Sequence, residues 1–229
     1  MIWYDQYYLL LVVPAMLLSL IAQAKVKGTY AKMSKINNSR GLTGAQAAMR
    51  VLSYYGVTGV QIQPIAGNLT DNFDPRSNVI HLSQGVMNST SVAAIGIACH
   101  EAGHAAQYAE SYKPIAVRNS ILPVANIGSS AGILLAVIGF ALQSKLLMLI
   151  GIVLFSFVVL FQLVTLPVEF NASSRALKVI DETGMLEGEE YKGAKKVLSA
   201  AAMTYVAALI VSIASLLRLI LRSQSRSRR

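Results

Sequence analysis

The sequence predicts a mainly α-helical membrane protein with about four transmembrane helices and a small α+β domain. Hydrophobic residues make up 54% of the 229-residue chain and charged residues only 14%, which separates it from an average soluble domain. Four apolar segments are long enough to cross a bilayer. Between the first and the second of them the chain becomes mixed and polar, as in a small folded domain.

The first apolar segment lies within residues 1–24, and we predict a transmembrane anchor there. A cleaved signal peptide is the alternative. The anchor fits better, because no basic residue precedes the apolar run and five follow it: Lys25, Lys27, Lys32, Lys35 and Arg40. This distribution predicts an extracytoplasmic N-terminus.

Three further apolar segments complete the predicted spans. Residues 119–166 are predicted to form a transmembrane hairpin with its tip at 143–145. Residues 167–197 are predicted to begin with a helix whose first turn contains Pro167 and to continue as a polar connection. A last hydrophobic helix, 198–222, precedes a basic tail, 223–229, that is expected to be disordered. A full fourth span leaves this tail outside, so a re-entrant last helix remains an alternative.

The basic residues indicate the orientation in the membrane. The chain has 20 Lys and Arg against 11 Asp and Glu. Of these 20, 14 lie in residues 25–118 and 167–198, one lies at the hairpin tip and five lie at the C-terminal end. The positive-inside tendency predicts a cytosolic polar domain at the cell membrane. We attribute the basic excess to anionic lipid; nucleic acid is not expected as a partner, because no basic patch with interleaved aromatic residues is present.

The polar domain, residues 25–118, is predicted to contain a helix from Leu42 with Thr43 as its N-cap. Residues 60–65 and 79–83 have the pattern of short strands, and we predict that they form a small β-hairpin. An exposed edge of the strand 79–83 beside the metal is able to bind an extended peptide. Asp71, Asp74 and His81 are expected to be structural, with metal or substrate contact as the alternative.

A helix predicted over residues 91–110 carries His100-Glu101-x-x-His104. Residues four apart share one helix face, so both imidazoles are able to bind a single metal ion. Glu101 is suited to accept a proton from a metal-activated water. The pattern predicts one catalytic Zn²⁺ in a zincin-like domain. Cys99 points away from this face and is expected to be a small buried hydrophobic residue.

A catalytic zinc ion needs a third protein ligand. The acidic and histidine residues available are His81, Glu110, Glu169, Asp181 and Glu182. Glu169 follows a hydrophobic segment, where an unpaired carboxylate is costly, and the hairpin returns it to the side of His100 and His104. An alternative is that Glu169 only stabilises a helix N-terminus.

These motifs resemble those of the YugP-type neutral zinc metallopeptidases of prokaryotic membranes. The resemblance covers nearly the whole chain and rests on the His100–His104 motif, the segment from Leu166 to Ala176, and four shorter matches at 41–45, 69–75, 82–83 and 200–205. The site is more distantly similar to those of HtpX-like proteases and CAAX prenyl endopeptidases, in which a Glu on a later helix completes a His-His-Glu zinc site.

The resemblance implies that His100, His104 and Glu169 bind zinc. The distant relatives carry an Asp four residues after this Glu, where this chain has Ser173, so Asn171 or Ser173 is expected to support the ligands instead. Tyr205 and Arg175 are candidate donors for an oxyanion.

The expected function is a zinc-dependent endopeptidase that cleaves membrane or membrane-near proteins from the cytosolic face, with Glu101 as the general base. A non-proteolytic membrane scaffold, or a chaperone-like factor with a structural zinc, is the alternative. An intact Glu101 argues against it, because a structural site needs no general base. A transporter is disfavoured, because the spans contain few ionisable residues.

Overall fold

The structure of the protein is a computed structural model that describes residues 5–227, with side chains through residue 224. The first four residues of the predicted anchor and the last two of the predicted tail lie outside this range. The described chain divides into two compact units. One comprises the residues up to Gln23, Ala116–Pro167 and the chain from Met203; the other comprises Ala24–Ile115 and Val168–Ala202. We refer to them as the apolar unit and the polar unit.

Eight α-helices and three β-strands form the described chain. The helices are α1 (Val13–Met33), α2 (Gly44–Tyr54), α3 (Gln84–Met87), α4 (Val92–Ala109), α5 (Lys113–Ile127), α6 (Ile133–Ala141), α7 (Lys145–Glu182) and α8 (Gly188–Ser227). The strands are β1 (Gln61–Ile65), β2 (Asn72–Asp74) and β3 (Val79–Ser83). π-Helical turns precede α1 and join α5 to α6.

Four helical stretches are long and apolar enough to cross a membrane: Tyr8–Met33, Lys113–Ala141, Lys145–Glu182 and Gly188–Gln224. The prediction of a mainly α-helical protein with about four transmembrane helices is therefore confirmed. The predicted hairpin is present, since α6 ends at Ala141 and α7 begins at Lys145. Gly128 and Gly132 face α7 directly, as small residues do where two membrane helices pack closely.

Two helices are longer than the sequence predicts. Pro167 lies inside α7 rather than in the first turn of a new helix. Proline is tolerated inside a transmembrane helix, where neighbouring groups satisfy the freed carbonyl. The polar connection expected before the last span belongs to α8, which also continues through Ser227, so the tail is helical to that point rather than disordered. Glu, Lys and Ala, which are strong helix formers, dominate the start of α8.

The polar unit contains one three-stranded sheet in the order β1-β3-β2. The sheet contains a short β-hairpin, but it is formed by β2 and β3, and the predicted hairpin of residues 60–65 with 79–83 is wrong. The two strands predicted from the sequence, β1 and β3, lie parallel, with Gln63 opposite His81. The connection between them contains β2. This strand was not predicted, because its segment is rich in turn-forming residues. Since β3 is paired on both sides, it is the central strand and not the exposed edge.

The core of the polar unit forms around α4. The Thr43 side chain and Gln46 make a capping box at the start of α2, as the sequence predicts for the N-cap. Residues from α2, β3, α4 and α7 share one buried cluster that includes Val51, Ile80, Ile95, Cys99 and Val179. Cys99 is fully buried, in agreement with its predicted role. Helix α4 is thus held on several sides, which gives its histidines a rigid base.

Candidate metal centre

The two motif histidines lie one turn apart on α4. Ser91 caps this helix, and its hydroxyl accepts a hydrogen bond from the Ala94 amide at 3.2 Å. The ring centroids of His100 and His104 are 4.7 Å apart. Both side chains are half-buried, whereas most of the rest of α4 is fully buried. The helix therefore presents both imidazoles together at the boundary of the core.

Glu169 on α7 completes the group. Its Oε2 lies 3.4 Å from His100 Nε2 and 3.5 Å from His104 Nε2. The residue is 4% exposed, and Oε2 has no hydrogen-bond partner in the described structure. The predicted return of Glu169 to the side of the two histidines is confirmed. Its alternative position, at a helix N-terminus, is excluded because Glu169 lies well inside α7.

The three side chains fit a zinc ion. Ligand atoms about 2.1 Å from a tetrahedral zinc are separated from each other by about 3.4 Å, which matches both distances to Glu169. Two imidazole nitrogens and one carboxylate oxygen form a donor set that zinc accepts in catalytic sites. An unpaired, buried carboxylate oxygen is costly, and a cation held among the three atoms removes that cost.

Close packing of α4 against α7 makes this geometry possible. Gly103 lies within the motif, and a Cβ placed on it would meet the Ala172 carbonyl oxygen at 2.6 Å. Only a glycine lets the two backbones approach this closely without a shift. The contact lies between the histidines on one helix and Glu169 on the other, so it sets the distance between the ligands.

Side chains behind the ligands hold the two imidazoles. The Ser173 hydroxyl lies 3.1 Å from His100 Nδ1. Oε1 of Gln107 lies 3.0 Å from His104 Nδ1. Asn171 contacts Gln107 rather than a ligand. Gln107 was missed in the sequence, although its position three residues after His104, on the same helix face, was a signal for this contact.

The other acidic residues considered as metal ligands make their contacts outside the group of His100, His104 and Glu169. Glu110 forms a 2.7 Å ion pair with Arg175, and Glu182 lies near Lys178. Asp74 accepts a hydrogen bond from the Arg76 amide, as expected of an Asx turn.

Among the described residues, the potential metal-binding group contains only His100, His104 and Glu169. His81 therefore stays outside it. Tyr205 lies in the apolar unit, and its proposed donor role stays a prediction.

The Glu101 carboxyl is buried within the polar unit. Burial raises its pKa, the imidazoles of His100 and His104 act in the opposite sense, and the charges of Glu169 and Asp71 raise it further. Burial lowers the pKa of His104, but the nearby carboxylates of Glu169 and Glu101 outweigh it and leave that pKa raised. A carboxylate with a raised pKa is a stronger base.

Comparison with known proteins gives the family. The model of the family described as "Putative neutral zinc metallopeptidase" matches residues 8–224. The chain belongs to this family. It is 47% identical over 214 residues to "Putative membrane protease YugP" of Bacillus subtilis (strain 168), an alignment that covers 93% of this chain and 95% of that protein. No solved structure matches the chain.

Family membership agrees with the geometry. The resemblance seen in the sequence is confirmed, and the four apolar helices are those of a membrane protein. In this zinc metallopeptidase family member, the residues that fit a zinc ion are the two motif histidines and Glu169.

Proposed function

We propose that the protein is a membrane-embedded, zinc-dependent endopeptidase that hydrolyses peptide bonds of membrane or membrane-near proteins. One observation carries the proposal: a buried Glu169 oxygen without a hydrogen bond lies 3.4 and 3.5 Å from the Nε2 atoms of His100 and His104. A chain in a zinc metallopeptidase family needs three such protein ligands and an adjacent base.

The proposed chemistry assigns one task to each residue. When bound by His100, His104 and Glu169, zinc would supply a polarised water and a positive centre for the scissile carbonyl oxygen. Glu101 accepts the proton of that water and returns it to the leaving amine. The buried setting of Glu101 favours this role, because its raised pKa suits both the acceptance and the return of a proton.

The free edge of β2 is proposed to hold the substrate. β2 is an edge strand of the sheet, and Phe73 on it contacts the ring of Tyr108 on α4, with the ring centroids 5.6 Å apart. The edge strand therefore lies beside the helix that carries the motif. An extended peptide that pairs with β2 would run along α4. This replaces the expectation that β3 offers the edge.

The first test separates metal binding from catalysis. Glu101→Gln keeps the side-chain shape but removes the base, so zinc content should match wild type while peptide hydrolysis falls by about 10²–10⁴-fold. Zinc is measured by elemental analysis of the detergent-purified protein, and hydrolysis with an unstructured protein substrate. Glu189→Gln, at an exposed site on α8, is the matched control. Full activity of Glu101→Gln would contradict the proposed base.

The second variant tests the third ligand. Glu169→Ala should lose bound zinc and activity together, whereas Glu189→Ala should keep both. Unchanged zinc content in Glu169→Ala would refute the ligand role. A wild-type protein that binds zinc but cleaves no substrate would instead favour the scaffold alternative.

A further inference from the structure

We infer that Gln107 is the positioning residue of the metal centre: it fixes His104 as the Nδ1–H tautomer and joins the two helices that carry the ligands. The inference rests on the proposed zinc site and deepens it. Gln107 is 0% exposed and contacts His104 on the side of the ring away from Glu169. It therefore acts through a ligand and not on the ion.

The orientation of the Gln107 amide follows from its partners. Its Nε2 lies 2.8 Å from the Val168 carbonyl oxygen and 2.9 Å from Oδ1 of Asn171. A backbone carbonyl only accepts hydrogen bonds. The NH₂ group of Gln107 must therefore face Val168, because the reverse orientation would place two oxygens against each other.

The orientation of Asn171 is fixed independently. Nε of Arg175 donates to Asn171 Oδ1 at 2.7 Å, and a guanidinium has no acceptor. Arg175 is itself held by its ion pair with Glu110 and lies over the ring of Tyr55, 5.3 Å from its centroid. Asn171 thus presents its oxygen to both Arg175 and Gln107. The side-chain amides of Gln107 and Asn171 therefore each have a single orientation in which these contacts are hydrogen bonds.

The tautomer of His104 follows. With both amide hydrogens of Gln107 used, its Oε1 faces His104 Nδ1 at 3.0 Å. An amide oxygen only accepts, so Nδ1 must carry a hydrogen, and in the neutral ring Nε2 then keeps its lone pair toward Glu169. His100 differs, because the Ser173 hydroxyl is able to donate or accept. Gln107 therefore gives a constraint that Ser173 does not.

The same side chain also joins the ligand helices. Val168, whose carbonyl accepts from Gln107, directly precedes Glu169 on α7, and Gln107 itself lies on α4 with His104. The Gln107 amide thus contacts His104 at the ring Nδ1 atom and contacts the backbone carbonyl of the residue before Glu169. Loss of such a contact behind a metal ligand typically lowers metal affinity by about 10–100-fold.

The tautomer is tested in the metal-free protein. The chain has three histidines, so ¹⁵N-histidine labelling gives a spectrum in which each ring is resolved, and His104→Ala assigns its signals. At a pH where the rings are neutral, wild-type His104 should show the Nδ1–H form, and Gln107→Met should lose it. An Nε2–H form for His104 in the wild type would overturn the inference without any variant.

Zinc affinity gives the second readout, measured by competition with a chelator. Gln107→Met should bind zinc about 10–100-fold more weakly than wild type. Gln107→Glu keeps an acceptor for Nδ1–H but places an oxygen against the Val168 carbonyl and Asn171 Oδ1, so it should keep the Nδ1–H form of His104 and still bind zinc more weakly. Gln84→Met, at an exposed position on α3, should be unchanged. Wild-type affinity in Gln107→Met would overturn the inference. If Gln107→Met does not fold, Gln107→Glu and the wild-type tautomer still decide.

The two proposals fail in different ways. A wild-type protein that binds no zinc contradicts the proposed function, yet its His104 tautomer still tests Gln107. A protein that binds zinc with His104 in the wrong tautomer contradicts only the role of Gln107.

Discussion

Glu169 is the most informative single residue of this protein, because it is buried and its Oε2 atom accepts no hydrogen bond. Removing a carboxylate from water costs several kcal/mol unless charge and hydrogen bonds are supplied in the interior. Oε2 of Glu169 has two imidazole nitrogens nearby and no hydrogen bond. A cation is the simplest group that satisfies all three atoms together, which is why this residue links the motif to a metal.

Cys99 gives a residue-scale prediction about the base of the site. Burial raises the pKa of its thiol, so at pH 8 the group stays protonated and its reactive thiolate is scarce. Native protein should therefore react with a maleimide at least about 100-fold more slowly than unfolded protein.

The control for this measurement is Ser53→Cys, which adds an exposed thiol on α2. In that variant one thiol should react quickly and one slowly, by mass spectrometry. Two fast thiols in the native protein would contradict the packing of α4 in the core.

At the scale of elements, the approach of α4 to α7 decides whether the ligands meet. Two helices with ordinary side chains at their contact lie about 8–10 Å apart. Gly103 removes the side chain at the point between the histidines and Glu169, where the opposing atom is the Ala172 carbonyl oxygen. A glycine inside the motif thus brings the three candidate ligands together through packing alone.

Gly103→Ala should push the two helices apart. A backbone oxygen 2.6 Å from the added Cβ cannot rotate away as a flexible side chain can, so overpacking should cost about 1–3 kcal/mol. The variant should also bind zinc more weakly. Thermal unfolding in detergent and zinc competition measure both effects.

Gly28→Ala is the matched control, since nothing lies within 4 Å of its added Cβ. Because alanine favours a helix interior over glycine by up to about 1 kcal/mol, this control should keep or raise stability. Equal behaviour of the two variants would show that the helix contact has no special role.

At the scale of the whole molecule, contacts between the ends of the apolar helices indicate how many of them cross the membrane. Asp5 precedes the first apolar helix and pairs with Arg218 and Arg222, near the end of the last, at 3.1 and 3.0 Å. The Arg222 guanidinium also lies 3.8 Å from the centroid of the Phe140 ring, close to the hairpin tip. The two chain ends and the tip therefore share one end of this unit, as four full spans require.

Labelling of single cysteines tests this topology. In a Cys99→Ala background, Lys145→Cys at the hairpin tip and Gln224→Cys near the chain end should both react with an impermeant maleimide in intact cells. Ser53→Cys in the polar unit should react only after permeabilisation, because the positive-inside tendency predicts a cytosolic location for that unit. Labels on opposite sides for Lys145→Cys and Gln224→Cys would contradict four spans; the reverse pattern for all three would contradict the orientation.

The sequence by itself determined the features that depend on neighbouring residues. Apolar length identified the spans, Thr43 marked the start of α2, and the spacing of His100 and His104 placed both on one helix face. These are local consequences of helix geometry and side-chain chemistry. Local rules failed where context overrides propensity: Pro167 does not begin a new helix, and the start of α8 is not a separate connection.

Only the tertiary structure decided the relations between distant segments. The parallel pairing of β1 with β3, the 3.4 Å approach of Glu169 to His100, and the bonds of Gln107 to Val168 and Asn171 depend on strand order and on the distance between helices. No sequence periodicity encodes these quantities directly. The motif supplied two candidate ligands and a candidate base, and close packing of α4 on α7 brought Glu169, the third candidate ligand, within reach.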